Sequence, residues 1–108
     1  MRISEGIGDE DIPGLEKILA STGYFYDFEI RTALEIAVQT VSQGMDASGY
    51  FWIRITEGEQ LIGFACYGKN DFSVHSWELY WIAVHQDFRN HSYGRALLQA
   101  AEERIRQK

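Results

Sequence analysis

The sequence predicts an α+β fold with its elements in the order β-α-α-β-β-β-α. Three observations predict it. Residues 30–41 carry an apolar stripe at helical spacing. Two runs rich in β-branched and aromatic residues flank Gly58. From Glu78 onward a strand pattern gives way, through a polar loop, to a helical one. A length of 108 residues suits one domain, 1–108, with a core of its own. Apolar residues make up 45% of the chain, enough to bury, and this excludes a disordered polymer.

Taken in order, residues 1–7 alternate loosely and read as a short first strand, weakened by Gly6 and Gly8. Asp9 is placed to cap a helix, Glu10 and Asp11 put negative charge in its first turn, and Pro13 is tolerated that early. Ile12, Leu15, Ile18 and Leu19 form its apolar face, and Gly23 closes it. Tyr24, Phe25, Tyr26 and Phe28 fall in the connection that follows, either as a core plug between two helices or as the wall of a substrate pocket. In the second helix Ile30, Ala33, Leu34, Ala37, Val38 and Val41 make the stripe of an element packed on a sheet, and Gly44 ends it. Residues 45–49 are a polar stretch. Residues 50–57 and 61–67 are strand-like and turn about Gly58, which predicts an antiparallel hairpin. Residues 69–76 are a polar loop. Residues 78–84 are the central strand, and from Tyr93 the residues Leu97, Leu98, Ala101 and Ile105 line one face of a last helix.

Composition narrows the function classes. A net charge of −6 argues against nucleic acid as a partner, because neutralising phosphates needs a basic patch. The acidic surplus suits a cationic acceptor. The one cysteine, Cys66, excludes an internal disulfide framework and offers no metal cluster; inside a strand it reads as a small buried hydrophobe or as a nucleophile. His75 and His85 lack metal-ligand spacing, so no metal is expected. Trp52, Trp77 and Trp81 read as core or edge-covering side chains, with Trp81 also placed to border a cofactor gap. No signal peptide or membrane span is visible, so a cytoplasmic protein with no membrane partner is expected.

The chemistry concentrates in residues 78–98. The loop of residues 89–94 (RNHSYG) delivers the first turn of a helix, where the leading N–H groups lack intrahelical partners and the macrodipole is positive. Such a place suits a phosphate. Strand, loop and the GRALL helix opening together resemble motif A of the GNAT-type N-acetyltransferases, whose pattern is Gln or Arg, two residues, Gly, one residue, then Gly or Ala. Arg89 and Gly94 take the outer positions. Ser92 stands at the inner glycine, and Asn90 and His91 stand where Gly and Lys or Arg are common. If the loop needs φ > 0 at Ser92, its Cβ adds strain, although its hydroxyl can itself donate to a phosphate.

The resemblance implies a GNAT-like mixed, mostly antiparallel sheet flanked by helices, with acetyl-coenzyme A as co-substrate and no metal. It implies that the loop, Arg89, Asn90, His91, Ser92, Tyr93, Gly94 and Arg95, wraps the pyrophosphate. The backbone of Ile82, Ala83 and Val84 would then hydrogen-bond the pantetheine arm and polarise the thioester. Read from the residues alone, Arg89 and Arg95 are phosphate contacts or solvated charges, and His91 is a weak basic substitute or an exposed ring. Glu78, four residues before Ile82, stands where some family members carry the glutamate that takes the amine's proton. Alternation would place it on one face with Tyr80 and Ile82, toward the reaction gap. Between Trp77 and Leu79 its surroundings suit a general base, and an ordinary solvated glutamate is the other reading.

The family's fold continues past this helix with another strand, a helix and a final strand pair, so a C-terminally truncated domain is expected, with no residue assigned to protonate the leaving thiolate. The implied function is acetyl transfer to a primary amine on a small molecule or peptide, of unidentified structure. The alternative is a non-catalytic module that acts through its open sheet edge, by homodimerisation or with a partner.

Overall fold

In the computed structural model, which describes residues 1–69, 77–89 and 91–107, the strand-forming runs assemble into one antiparallel sheet. Its strands are β1 (Arg2–Glu5), β2 (Tyr50–Glu57), β3 (Gln60–Lys69) and β4 (Trp77–Val84), in the spatial order β1-β2-β3-β4. The helices are α1 (Ile12–Thr22), α2 (Asp27–Gln43), the single turn α3 (Met45–Ser48) and α4 (Tyr93–Arg106). The expected order is present, and residues 45–49, expected as a polar stretch, contain α3. The loop expected over 69–76 falls on Lys69, the last residue of β3, and otherwise, with His75, lies outside the described residues.

Alternation along the strands divides the core in two. Trp52, Phe64, Cys66 and Ala83 pack against Leu15, Ile18 and Leu19 of α1 and Ala33 and Ala37 of α2. Ile53, Ile55, Ile62, Ala65 and Tyr67 face the other way, against Leu97 and Ala101 of α4. Each fully buried Leu or Ile stabilises by about 1.5–3 kcal/mol. Gly63 sets how close α4 comes, since a Cβ there would stand 2.9 Å from Ile55 Cγ2 and 3.0 Å from Leu97 Cδ1. On the α1/α2 side of the core, Trp52 Nε1 donates to Thr40 Oγ1 at 3.0 Å, and Thr40 donates to the Ile36 carbonyl at 2.8 Å.

Several local expectations are corrected. Asp9 does not cap α1; it opens a 3-10 turn, Asp9–Asp11, that runs into the helix. The residue that fastens this turn is Asp11, whose Oδ2 accepts from the Gly8 N–H at 2.9 Å and meets Arg54 Nη1 at 2.6 Å, tying the start of α1 to β2. A buried carboxylate with a charged partner wins over a solvent-side cap. Of the four aromatics at residues 24–28, Phe25 packs on the core, whereas Tyr24, Tyr26 and Phe28 are exposed, Phe28 already within α2. Val38 is also exposed, because α2 buries a narrower stripe of Ala33, Ala37 and Thr40.

A β-bulge in β4 matters most for the site. Cys66 lies opposite Trp81 and Tyr67 opposite Leu79, so Tyr80 is the extra residue. Tyr80 and Trp81 therefore both pack on the α1/α2 side, while Trp77, Leu79, Ile82 and Val84 face α4. Glu78, between Trp77 and Leu79, shares the α1/α2 side with Tyr80 but not with Ile82. The expected common face fails because one inserted residue inverts alternation beyond it. The same inversion takes Trp81 to the α1/α2 side, where its ring centroid lies 6.2 Å from that of Trp52.

Candidate functional site

Strand β4 is an edge of the sheet, so some of its N–H and C=O groups point away from β3. After Val84 the chain makes a 3-10 turn, Gln86–Phe88, and enters α4 at Tyr93. Because β4 and α4 are joined by so short a connection, the start of the helix lies beside the end of the strand. Between them opens a groove of about 380 Å³, lined by Ile82, Ala83 and Val84 on one side and Gly94, Arg95 and Leu98 on the other. Five of these six residues were expected from sequence. The sixth, Leu98, was placed on the core face of the helix with Leu97. It is 39% exposed instead, and its i+4 spacing from Gly94 was the signal that puts both on one helix face.

The groove has a polar end and an apolar wall. At the polar end Ser92 caps α4 with φ 64° and ψ 15°, and its hydroxyl makes no capping bond. The first intrahelical bond runs from the Ala96 N–H to the Ser92 carbonyl at 3.1 Å. Helix geometry thus leaves the N–H groups of Tyr93, Gly94 and Arg95 directed beyond the helix start. Gly94 does not hold a left-handed φ, and a Cβ there would meet only Val84 Cγ2, at 4.0 Å. The Arg95 side chain adds a cation at the same rim. Ile82, Val84 and Leu98 supply the apolar wall. Such an arrangement can hold an anionic group at the helix start with a less polar arm laid along β4.

The other expected residues lie apart. Arg89 does not aim its guanidinium at this end; Nη2 donates to the Thr22 carbonyl at 2.9 Å, and the group lies 5.3 Å from the Tyr24 ring. The reason is that the last carbonyls of α1 lack partners and attract a cation. The Tyr93 ring turns toward β2, where its hydroxyl meets Glu57; desolvation and that carboxylate push its ionisation up. His91 is exposed with its ring 5.7 Å from that of Tyr93. Asn90 lies outside the described residues. Glu78 is exposed near the start of β4, opposite Gly68. His85 caps the 3-10 turn, its Nδ1 accepting from the Asp87 N–H at 3.1 Å. Cys66 is fully buried, and burial pushes its thiol up, so it behaves as a core residue. Ser21 went unnoticed in the sequence, and its Oγ accepts from the Gln86 N–H at 3.1 Å. Among the described residues no group of three or more His, Cys, Asp or Glu is gathered to hold a metal, and no helix is long and apolar enough to cross a membrane.

Comparison with known proteins bears on this groove. The sequence profile of the acetyltransferase (GNAT) family matches residues 15–108. No curated protein matches the chain. Among solved structures, a GNAT-family protein from Desulfovibrio desulfuricans is 29% identical with a TM-score of 0.93, the match covering 98% of this chain and 66% of that one. The chain therefore spans 66% of that relative's length. The PaiA N-acetyltransferase of Thermoplasma acidophilum, solved in complex with coenzyme A, is 16% identical with a TM-score of 0.74, covering 99% of this chain and 74% of that one. The ribosomal-protein-alanine N-acetyltransferase of Brucella melitensis is 23% identical with a TM-score of 0.76, covering 99% and 68%. At those two identities the likeness is one of fold.

Proposed function

The chain belongs to the acetyltransferase (GNAT) family, and from that membership we propose that it moves an acetyl group from acetyl-coenzyme A to a primary amine. The observation that carries the reading is the groove, which brings Ile82, Ala83 and Val84 of β4 against Gly94 and Arg95 of α4. In this reading the pyrophosphate is held by the N–H groups of Tyr93, Gly94 and Arg95 and by the Arg95 cation, with Ser92 and its neighbours Asn90 and His91 shaping the loop around it. The pantetheine arm runs along the outer edge of Ile82, Ala83 and Val84, beside Leu98. Backbone N–H groups of that edge meet the thioester oxygen as it becomes anionic, which lowers the barrier because the donors are fixed in advance.

Glu78 is the proposed base that takes the amine's proton, directly or through water. It is exposed, so an incoming cationic amine reaches it, and the net charge of −6 favours such an acceptor. It stands four residues from Ile82, roughly 13 Å along the strand at about 3.3 Å per residue. Glu78→Gln should lower kcat about 100-fold with KM for acetyl-coenzyme A unchanged. An unchanged kcat removes Glu78 from the mechanism.

The first test is calorimetric titration with acetyl-coenzyme A, with the molecular mass measured in the same buffer. Saturable binding that is lost in Gly94→Asp supports the site, and thiol release with a panel of amines then identifies the acceptor. Absence of binding at millimolar cofactor overturns the enzyme reading. It would favour the second reading, a module that pairs through the β4 edge, for which a dimer mass would be the sign.

A further inference from the structure

We propose that Arg89 is a positioning residue, coupling the α1–α2 connection to the loop at the start of α4, and not a ligand of the phosphate; this rests on the coenzyme A site proposed above. The Arg89 guanidinium is already engaged. It donates to the Thr22 carbonyl at 2.9 Å, at the negative end of α1, and lies 5.3 Å from the Tyr24 ring. At the residue just before Thr22 in α1, Ser21 Oγ accepts from the Gln86 N–H at 3.1 Å while donating to the Ile18 carbonyl at 2.7 Å. The connection between β4 and α4 is thus fastened to the end of α1 at two points. Three residues beyond Arg89, Ser92 holds a left-handed backbone that a residue with a Cβ adopts only when its surroundings over-determine it. The two ties supply that constraint from outside the groove.

The consequence is specific. Tyr24 is 78% exposed and lines no part of the groove, yet it governs cofactor affinity through Arg89. The test is a double-mutant cycle read by calorimetric titration with coenzyme A over a range of salt concentrations. Arg89→Ala and Tyr24→Ala should each weaken binding by about 3- to 10-fold, the size of one ordinary net hydrogen bond or one exposed stacked guanidinium. The double variant should bind no more weakly than Arg89→Ala alone, because both changes break one tie. Arg89→Lys, which keeps the charge but not the planar fork, should fail to restore affinity. The salt dependence of Arg89→Ala should equal that of the unmodified protein, since no phosphate contact is removed.

Additive losses, a flattened salt dependence in Arg89→Ala, or restoration by lysine would each overturn the proposal in favour of a direct phosphate contact, and unchanged affinity would overturn it outright. A second readout needs no ligand. Hydrogen exchange at the amides of residues 86–89 and 92–96 should quicken in both single variants. If the unmodified protein binds no coenzyme A, the function proposed above fails while the exchange comparison still decides the tie, and unchanged exchange in either variant overturns it.

Discussion

Replacing Ser92 by glycine should stabilise the protein, and the size of the effect follows from one backbone angle. Among the described residues Ser92 is the sole non-glycine with a positive φ, at 64°. An L-residue in that region costs about 1–2 kcal/mol because its Cβ approaches the following carbonyl oxygen. Glycine escapes that contact but gives the unfolded chain more freedom, which offsets about 0.5–1 kcal/mol. Loss of the hydroxyl subtracts nothing further, because it makes no capping bond. The balance is a gain of about 0.5–1 kcal/mol, which for a domain of this size raises Tm by about 3–6 °C. Thermal melts and urea titrations of Ser92→Gly, Ser92→Ala and Ser92→Val check it. Alanine keeps the Cβ and should leave Tm nearly unchanged, whereas valine, branched at Cβ, should lower it. If alanine and glycine shift Tm alike, the hydroxyl and not the backbone is responsible; if glycine lowers Tm, the strain is not there.

Gly94→Ala should separate folding from binding: the added Cβ meets only Val84 at 4.0 Å, and alanine favours a helix by about 0.8–1 kcal/mol, so melts should hold or rise. The same Cβ fills the approach to the helix start, and calorimetric titration should show coenzyme A binding weakened at least about tenfold, a 1.4 kcal/mol change. Tyr67 predicts an alkaline limit to stability. Its hydroxyl is buried and faces Glu5 without a hydrogen bond of ordinary geometry, and burial first, then the Glu5 charge, push its ionisation up to about 12. The folded state thus holds this proton more tightly than the unfolded chain, whose tyrosine titrates near 10. The stabilisation is whole below pH 10 and falls as pH rises toward 12, by up to about 1.4 kcal/mol per pH unit. Tyr67→Phe should remove that part of the decline in urea titrations at pH 10–12 while leaving stability at pH 7 equal or higher, since an unpartnered buried hydroxyl is deleted.

Within the described residues the groove was legible in the sequence to the extent that it depends on local order. Residues 78–98 contain a strand, a short connection and a helix, and that succession alone sets the end of β4 beside the first turn of α4. Ile82, Val84, Gly94 and Arg95 therefore meet as expected. The facing of Glu78 and the direction of the Arg89 side chain were not legible in the sequence, and for different reasons. A bulge at Tyr80 is decided by how β4 registers against β3, residues distant in the chain, and it reverses the facing of everything after it. The direction of a long, flexible arginine is decided by the nearest unsatisfied acceptor, here the Thr22 carbonyl, 67 residues away in sequence.

The sequence by itself determined the kind and order of the elements and the open N–H groups at the start of α4, because these follow from periodicity and from backbone groups that every helix leaves open. Only the tertiary structure decided which side chains lie beside that helix start. Edge position, strand register, the close approach of α4 over Gly63 and the fastening of the loop to α1 all depend on contacts between distant segments, whose energies no local pattern records.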